Sequence, residues 1–139
     1  MEALIKQVEG LTFVAKADSN HWVIVDGPKQ FFGSEAAPRP MELLLIALGG
    51  CTASDVAAIL KKKRVELQSF EVRLNAERAE EHPKVFTKIH IEYIFSGKDI
   101  QEKDAKRAIE LSQEKYCPIS AMLKKAVEIT YSYEILREA

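Results

Sequence analysis

Cysteine and histidine are scarce in this chain, with two of the first and three of the second among 139 residues. A secreted scaffold stapled by disulfides needs more cysteine than that. His21, His82 and His90 have no metal-ligand spacing with one another or with either cysteine, so no metal is expected. There is no CxxC, no glycine-rich phosphate loop and no nucleophilic serine elbow, and no cofactor is expected either. An excess of one charge is missing too. Twenty Lys and Arg face 21 Asp and Glu, for a net charge of −1, and without a basic block a nucleic-acid partner is not expected. No basic-then-apolar leader opens the chain, where Met1-Glu2-Ala3-Leu4 runs into alternating sequence, so the cytoplasm is the default compartment. The longest apolar stretch, Met41 to Leu60, contains Glu42 and Asp55 and follows a charged, proline-bearing segment. It reads as a buried helix and not as a membrane span.

The composition is 47% hydrophobic and 29% charged, that of a globular protein, and the length suits one domain over residues 1–139. Ala3–Val8, Leu11–Lys16 and His21–Val25 alternate and are separated by turn residues, which predicts a meander of three strands. Gly27 to Pro40 reads as a loop in which Phe31-Phe32 is unusually apolar; this pair and Trp22 could line an apolar pocket, with core packing the expected use. Pro40 suits a first helical position, and one helix is predicted from there to about Lys63. It is apolar nearly all round, so protein should surround it. Gly49-Gly50 costs such a helix roughly 1 kcal/mol per glycine, but lets another element approach the backbone beside Cys51. Lys61-Lys62-Lys63-Arg64 suits a solvated helix C-terminus. Ser69–Arg78 and Val85–Phe95 predict a hairpin, Gln101–Lys115 and Pro118–Ala126 two further helices, and Val127–Leu136 a last strand. The order is that of an α+β domain with an antiparallel sheet. A helix apolar on all faces is hard to cover from one short chain, and a homodimer in which two such helices pack together resolves this.

Both cysteines sit where a thiol could act. Cys117 precedes Pro118; if Pro118 is the first helical residue, the Cys117 sulfur faces free N–H groups at the positive end of a dipole. Cys51 lies mid-helix between Gly50 and Thr52, where a thiol is inert unless a cation comes close. Arg39 is the only arginine ahead of Arg64. The carboxylates at hand are Glu42 at the helix start and Asp55, one turn after Cys51 on the same face, which would oppose a thiolate if near. Local electrostatics alone favours Cys117 as the nucleophile. The alternative for each is a small packing residue, and taken alone Cys51 fits that use better than Cys117 does.

Several segments resemble the OsmC/Ohr family, and its short OsmC-like branch most of all. They are Arg39-Pro40-Met41-Glu42-Leu43-Leu44-Leu45, Ala47-Leu48-Gly49-Gly50-Cys51-Thr52, the hairpin Arg78–Pro83, Phe86-Thr87-Lys88-Ile89, and Glu114-Lys115-Tyr116-Cys117-Pro118-Ile119-Ser120. The resemblance runs over nearly the whole chain. It implies an intertwined homodimer whose sheets wrap two long central helices, and thiol-based reduction of organic hydroperoxides in oxidative-stress defence. It implies Cys51 as the peroxidatic residue and Cys117 as the resolving one, joined in an intramolecular disulfide that an external dithiol, lipoyl-type or a small thiol, reduces. Family members pair the peroxidatic cysteine with an N-terminal arginine and a glutamate ten residues before it. Here Met41 holds that position, Glu42 is nine before, and no arginine precedes Arg39. Nine helical residues turn about 900° and rise about 13 Å, so Glu42 is expected to act across the dimer, with Arg39 replacing the absent arginine. The alternative is an OsmC-fold, stress-associated protein that binds small molecules with weak or no peroxidase activity.

Overall fold

Strand β1 (Ala3–Glu9) turns at Gly10 into β2 (Thr12–Ala17), which pairs in turn with β3 (Val23–Val25). The computed structural model describes residues 1–137, and these three strands form an antiparallel sheet in the order β1-β2-β3, with Lys6 opposite Val14 and Val14 opposite Ile24. Gly10 has φ +57°, the left-handed region that a side chain resists. A short 3-10 turn, Lys29–Phe31, interrupts the following loop, and helix α1 (Pro40–Lys62) begins at the proline, as the sequence predicts. The chain packs as two compact units, Met1–Ile46 and a second from Ala47 onward, so the meander, the loop and the start of α1 belong to the first.

The first unit is organised around Asp26, a residue the sequence reading passed over. Its carboxylate accepts the N–H of Gly27 at 2.7 Å, of Ser34 at 3.1 Å and of Ala36 at 3.2 Å, and the Thr12 hydroxyl at 2.9 Å. Those bonds, led by the one from Ser34, hold the carboxyl down at about 2. The loop is therefore pinned, although it looks irregular. The expectation of core packing for Trp22, Phe31 and Phe32 is corrected: they are 53%, 61% and 88% exposed in the single chain. The Lys16 ammonium lies over the Trp22 ring at 4.9 Å.

In the second unit, β4 (Ser69–Arg78) and β5 (Phe86–Gly97) form the expected antiparallel hairpin, with Leu74 opposite Ile91. The last strand, β6 (Glu128–Arg137), then pairs with β5 in parallel, Ile91 opposite Tyr131, where the sequence reading expected an antiparallel sheet. The cause is the connection. From β5 the chain crosses through α2 (Glu102–Leu111), a π-helical turn (Ser112–Tyr116) and α3 (Pro118–Leu123), and a long helical crossover of this kind returns a strand in the same direction. As the central strand, β5 is buried from Ile89 to Gly97 apart from the half-buried His90 and Glu92, with Ile89, Ile91, Tyr93 and Phe95 fully enclosed. Each such aliphatic or aromatic side chain contributes about 1.5–3 kcal/mol on burial.

Helix α1 contributes Leu48, Gly49, Thr52, Val56 and Leu60 to this unit, a stripe at helical spacing. At Gly49 an added Cβ would meet Leu74 Cδ1 at 2.7 Å, so the glycine allows β4 to lie close beside the Cys51 turn. Gly50 has no such neighbour within 4 Å. Within one chain, then, only one stripe of α1 is covered, and the expectation of protein on every face is not met there. By length and composition α1 could cross a membrane, since its most apolar 18-residue window has a mean hydropathy of 2.0. What marks it as a core helix is its buried stripe and the polar side chains Thr52 and Asp55, both hydrogen-bonded within the second unit.

Candidate active site

The two cysteines arrive from different elements. Cys51 stands mid-way along α1 and is partly buried; Cys117 is buried at the start of α3. Their sulfurs and a carboxylate oxygen of Asp55 all lie within 4.8 Å of one another. Both thiols are free.

Cys117 occupies the cap predicted for it: Pro118 opens α3, and the Ser120 N–H donates to Cys117 Sγ at 3.4 Å. The predicted consequence does not follow. Burial pushes the thiol up to about 11, aided by the neighbouring Cys51 sulfur and the Asp55 charge, against the opposing pull of the Ser120 N–H. Desolvation outweighs a single N–H, and Cys117 rests as a thiol.

Behind the sulfurs lies a polar cluster that the sequence reading missed. Thr52 Oγ1 is 2.6 Å from the Tyr93 hydroxyl and 2.8 Å from Ser112 Oγ, and Ser112 Oγ donates to Asp55 Oδ2 at 2.8 Å. Gln113 Nε2 donates to both the Tyr93 hydroxyl, at 2.9 Å, and Thr52 Oγ1, at 3.1 Å, while its Oε1 accepts from Ser120 Oγ at 2.7 Å. Lys124 Nζ donates to the Gln113 carbonyl oxygen. Burial pushes the Tyr93 phenol up to about 12, so it stays a donor. Among the described residues no buried side-chain nitrogen or oxygen lacks a partner.

The π-helical turn builds this cluster. Cys117 N–H donates to the Ser112 carbonyl oxygen at 2.8 Å, and the wider turn buries both Ser112 and Gln113 before the chain reaches Cys117. The sequence reading extends an ordinary helix to Lys115 instead. The available signal was Ser112 and Gln113 continuing the inner phase of Ala105, Ala108 and Ile109, where apolar residues were due.

Arg39 and Glu42 meet each other within the first unit. Arg39 Nε lies 3.9 Å from Glu42 Oε1, its N–H donates to the same oxygen at 3.4 Å, and Glu35 flanks the guanidinium at 3.9 Å. Cys51, Asp55 and Cys117 offer three donor atoms close enough to share one ion, one short of the four that close a structural zinc site. A cleft of about 500 Å³ near Lys63, Gln68 and Asp104 shares no lining residue with the thiols.

Residues 33–132 match the OsmC-like protein family. Protein YhfA of Escherichia coli K12 is 46% identical over 136 residues, which is 98% of each chain. The crystal structure of a hypothetical protein from Aquifex aeolicus is similar with a TM-score of 0.87 and 34% identity, over 99% of this chain and 97% of that one. An organic hydroperoxide resistance protein from Legionella pneumophila shares the fold with a TM-score of 0.70 at 15% identity, over 96% and 97% of the two chains.

Proposed function

This chain belongs to the OsmC-like family, and from that premise we propose that it is a two-cysteine peroxidase that reduces organic hydroperoxides. The observation that carries the reading is the approach of Cys51 and Cys117 to within 4.8 Å, from elements far apart in sequence. Cys51, on the more open side, attacks the terminal peroxide oxygen as a thiolate. The O–O bond breaks, the alkoxide leaves and is protonated to the alcohol, and Cys51 becomes a sulfenic acid. Cys117 then attacks the Cys51 sulfur and expels its hydroxide as water, leaving a disulfide. An external dithiol, lipoyl-type or a small thiol, returns both cysteines to the thiol state. A thiol-keeping compartment such as the cytoplasm suits this cycle.

Two further parts complete the reading. The protein acts as a homodimer, for which the support is the apolar surface of the single chain: Ile46 on α1 is 59% exposed, Gly50 faces open space, and Leu4, Ile5 and Val8 on β1 are each more than half exposed. A folded monomer sedimenting at micromolar concentration would remove this part. The second concerns Arg39, oriented by Glu42, which supplies the cation that a thiolate in apolar surroundings requires; their mutual contact supports it.

Turnover of cumene hydroperoxide at the expense of a dithiol tests the whole. The wild type consumes peroxide catalytically, and Cys51→Ser abolishes consumption, since no sulfenic acid can form. Undiminished turnover by Cys51→Ser would overturn the assignment. A wild type that binds the peroxide without turnover would favour a binding protein of the same fold.

A further inference from the structure

The hydroxyl chain behind the sulfurs has a direction. A carboxylate oxygen can only accept, so Ser112 spends its single hydrogen on Asp55. Ser112 must then accept from Thr52, at 2.8 Å, and Thr52, its hydrogen spent, must accept from Tyr93, at 2.6 Å. Gln113 can only donate through Nε2, and it donates into the start of this chain. Three O–H groups thus point, one after another, toward a single carboxylate, and that carboxylate lies within 4.8 Å of both sulfurs. Such a chain is polarised as a unit, and it holds Asp55 in place on one side while leaving further acceptor capacity.

Resolution of a sulfenic acid needs a proton moved twice. The attacking thiol must lose one, and the departing hydroxide must gain one to leave as water. We infer that Asp55 performs both transfers: it takes the S–H proton of Cys117 as that sulfur attacks the Cys51 sulfenic acid, and returns it to the hydroxide leaving Cys51. The inference rests on the two-cysteine reading above. The sum is Cys51–SOH plus Cys117–SH giving the disulfide plus water, with Asp55 unchanged at the end. No oxidant or reductant beyond the peroxide already consumed is required.

Two features make a local base necessary and Asp55 suited to the part. Cys117 is pushed up to about 11 and is a thiol at neutral pH, so it is a poor nucleophile until its proton goes. The Asp55 charge is among the groups that oppose the Cys117 thiolate. Passing the proton to Asp55 forms the nucleophile and removes that opposing charge in one step. The other titratable groups brought to the site among the described residues include Cys51 of α1, Tyr93 of β5, Lys124 after α3, and Tyr131 of β6, which acts electrostatically on Tyr93. Tyr93 is held as a donor and Lys124 is bound to the Gln113 carbonyl. The nearest alternative base type, histidine, is engaged elsewhere: His90 lies against Thr130 and Ser132 on β6.

The test separates the two chemical steps in a single turnover. Reduced protein is mixed with one equivalent of cumene hydroperoxide, and Cys51 sulfenic acid, trapped by dimedone, is measured against disulfide. Asp55→Asn keeps the shape and an acceptor for Ser112 but loses the base. The ratio of the disulfide rate to the sulfenic-acid rate is expected to fall at least about tenfold at neutral pH, within the range for loss of a general base, and to recover as pH rises and hydroxide replaces it. Ser112→Ala, which leaves the carboxylate, is expected to lower the ratio less. An unchanged ratio in Asp55→Asn overturns the shuttle. So does an equal loss in both variants without pH dependence, which would mean packing alone. A wild type that forms neither sulfenic acid nor disulfide overturns the peroxidase reading itself, and the shuttle with it.

Discussion

Each compact unit contains a carboxylate held by hydrogen bonds, and the two are held to different degrees. Asp26 in the first unit accepts three N–H groups and one hydroxyl, which uses about all the lone-pair directions a carboxylate has. Asp55 in the second accepts one hydroxyl among the described residues, and two sulfurs lie within 4.8 Å of it. A saturated carboxylate fixes the backbone around it and has nothing left to offer. An unsaturated one beside thiols can still take a proton. The number of donors already spent, and not burial or residue type, separates the structural aspartate from the chemical one.

Exchanging both for asparagine breaks the comparison if it is wrong. Asp55→Asn carries the larger effect, the loss of resolution set out above. Arg39→Ala follows, in the same unit as Asp26: peroxide turnover and Cys51 alkylation at neutral pH are expected to fall about tenfold, as for loss of one charge partner. Equal alkylation rates in Arg39→Ala and wild type would remove Arg39 from the site.

Asp26→Asn is expected to have the smallest effect on chemistry, leaving turnover in place while lowering stability to heat and denaturant. The pH dependence has a fixed sign. The folded carboxyl sits at about 2, below the unfolded value of about 3.9. Its contribution is therefore fully present above about pH 4 and is lost as pH falls through about 2. The stability gap between wild type and Asp26→Asn should accordingly be constant near neutral pH and close in acid. A gap that widens in acid would mean that Asp26 is not held as described.

Much of the fold was legible because its elements are marked by local chemistry. Pro40 and the lysine run bracket α1, the alternation of Phe70, Val72 and Leu74 marks β4, and Pro118 opens α3. The strand direction of β6 was not legible, since it depends on how far the crossover carries the chain and not on the alternation of Glu128–Arg137. The exposure of Trp22, Phe31 and Phe32 was hidden for a related reason: an aromatic residue carries no sign of whether its own chain or another covers it.

At the site, each thiol was legible as a candidate from its neighbours and the Asp55 phase on α1 from helical spacing, while the pairing of the thiols came from the family resemblance. That Cys117 would cap α3 was legible too, but its protonation was not, because desolvation is set by everything packed around the sulfur while the cap is a single bond. The hydroxyl chain was the least legible part. Thr52, Tyr93 and Ser112 come from three elements, and only the fold makes them neighbours.

The account depends most on Cys51 and Cys117 acting as a pair, and peptide mapping after oxidation measures that directly. Reduced protein is treated with one equivalent of cumene hydroperoxide, the remaining thiols are alkylated, and the digest is analysed by mass spectrometry for the wild type and Cys117→Ser. The account predicts a Cys51–Cys117 disulfide with both thiols consumed in the wild type, and a trappable sulfenic acid on Cys51 in Cys117→Ser. Oxidation of one cysteine to the sulfinic or sulfonic acid in the wild type, with the other left free for alkylation, would contradict it.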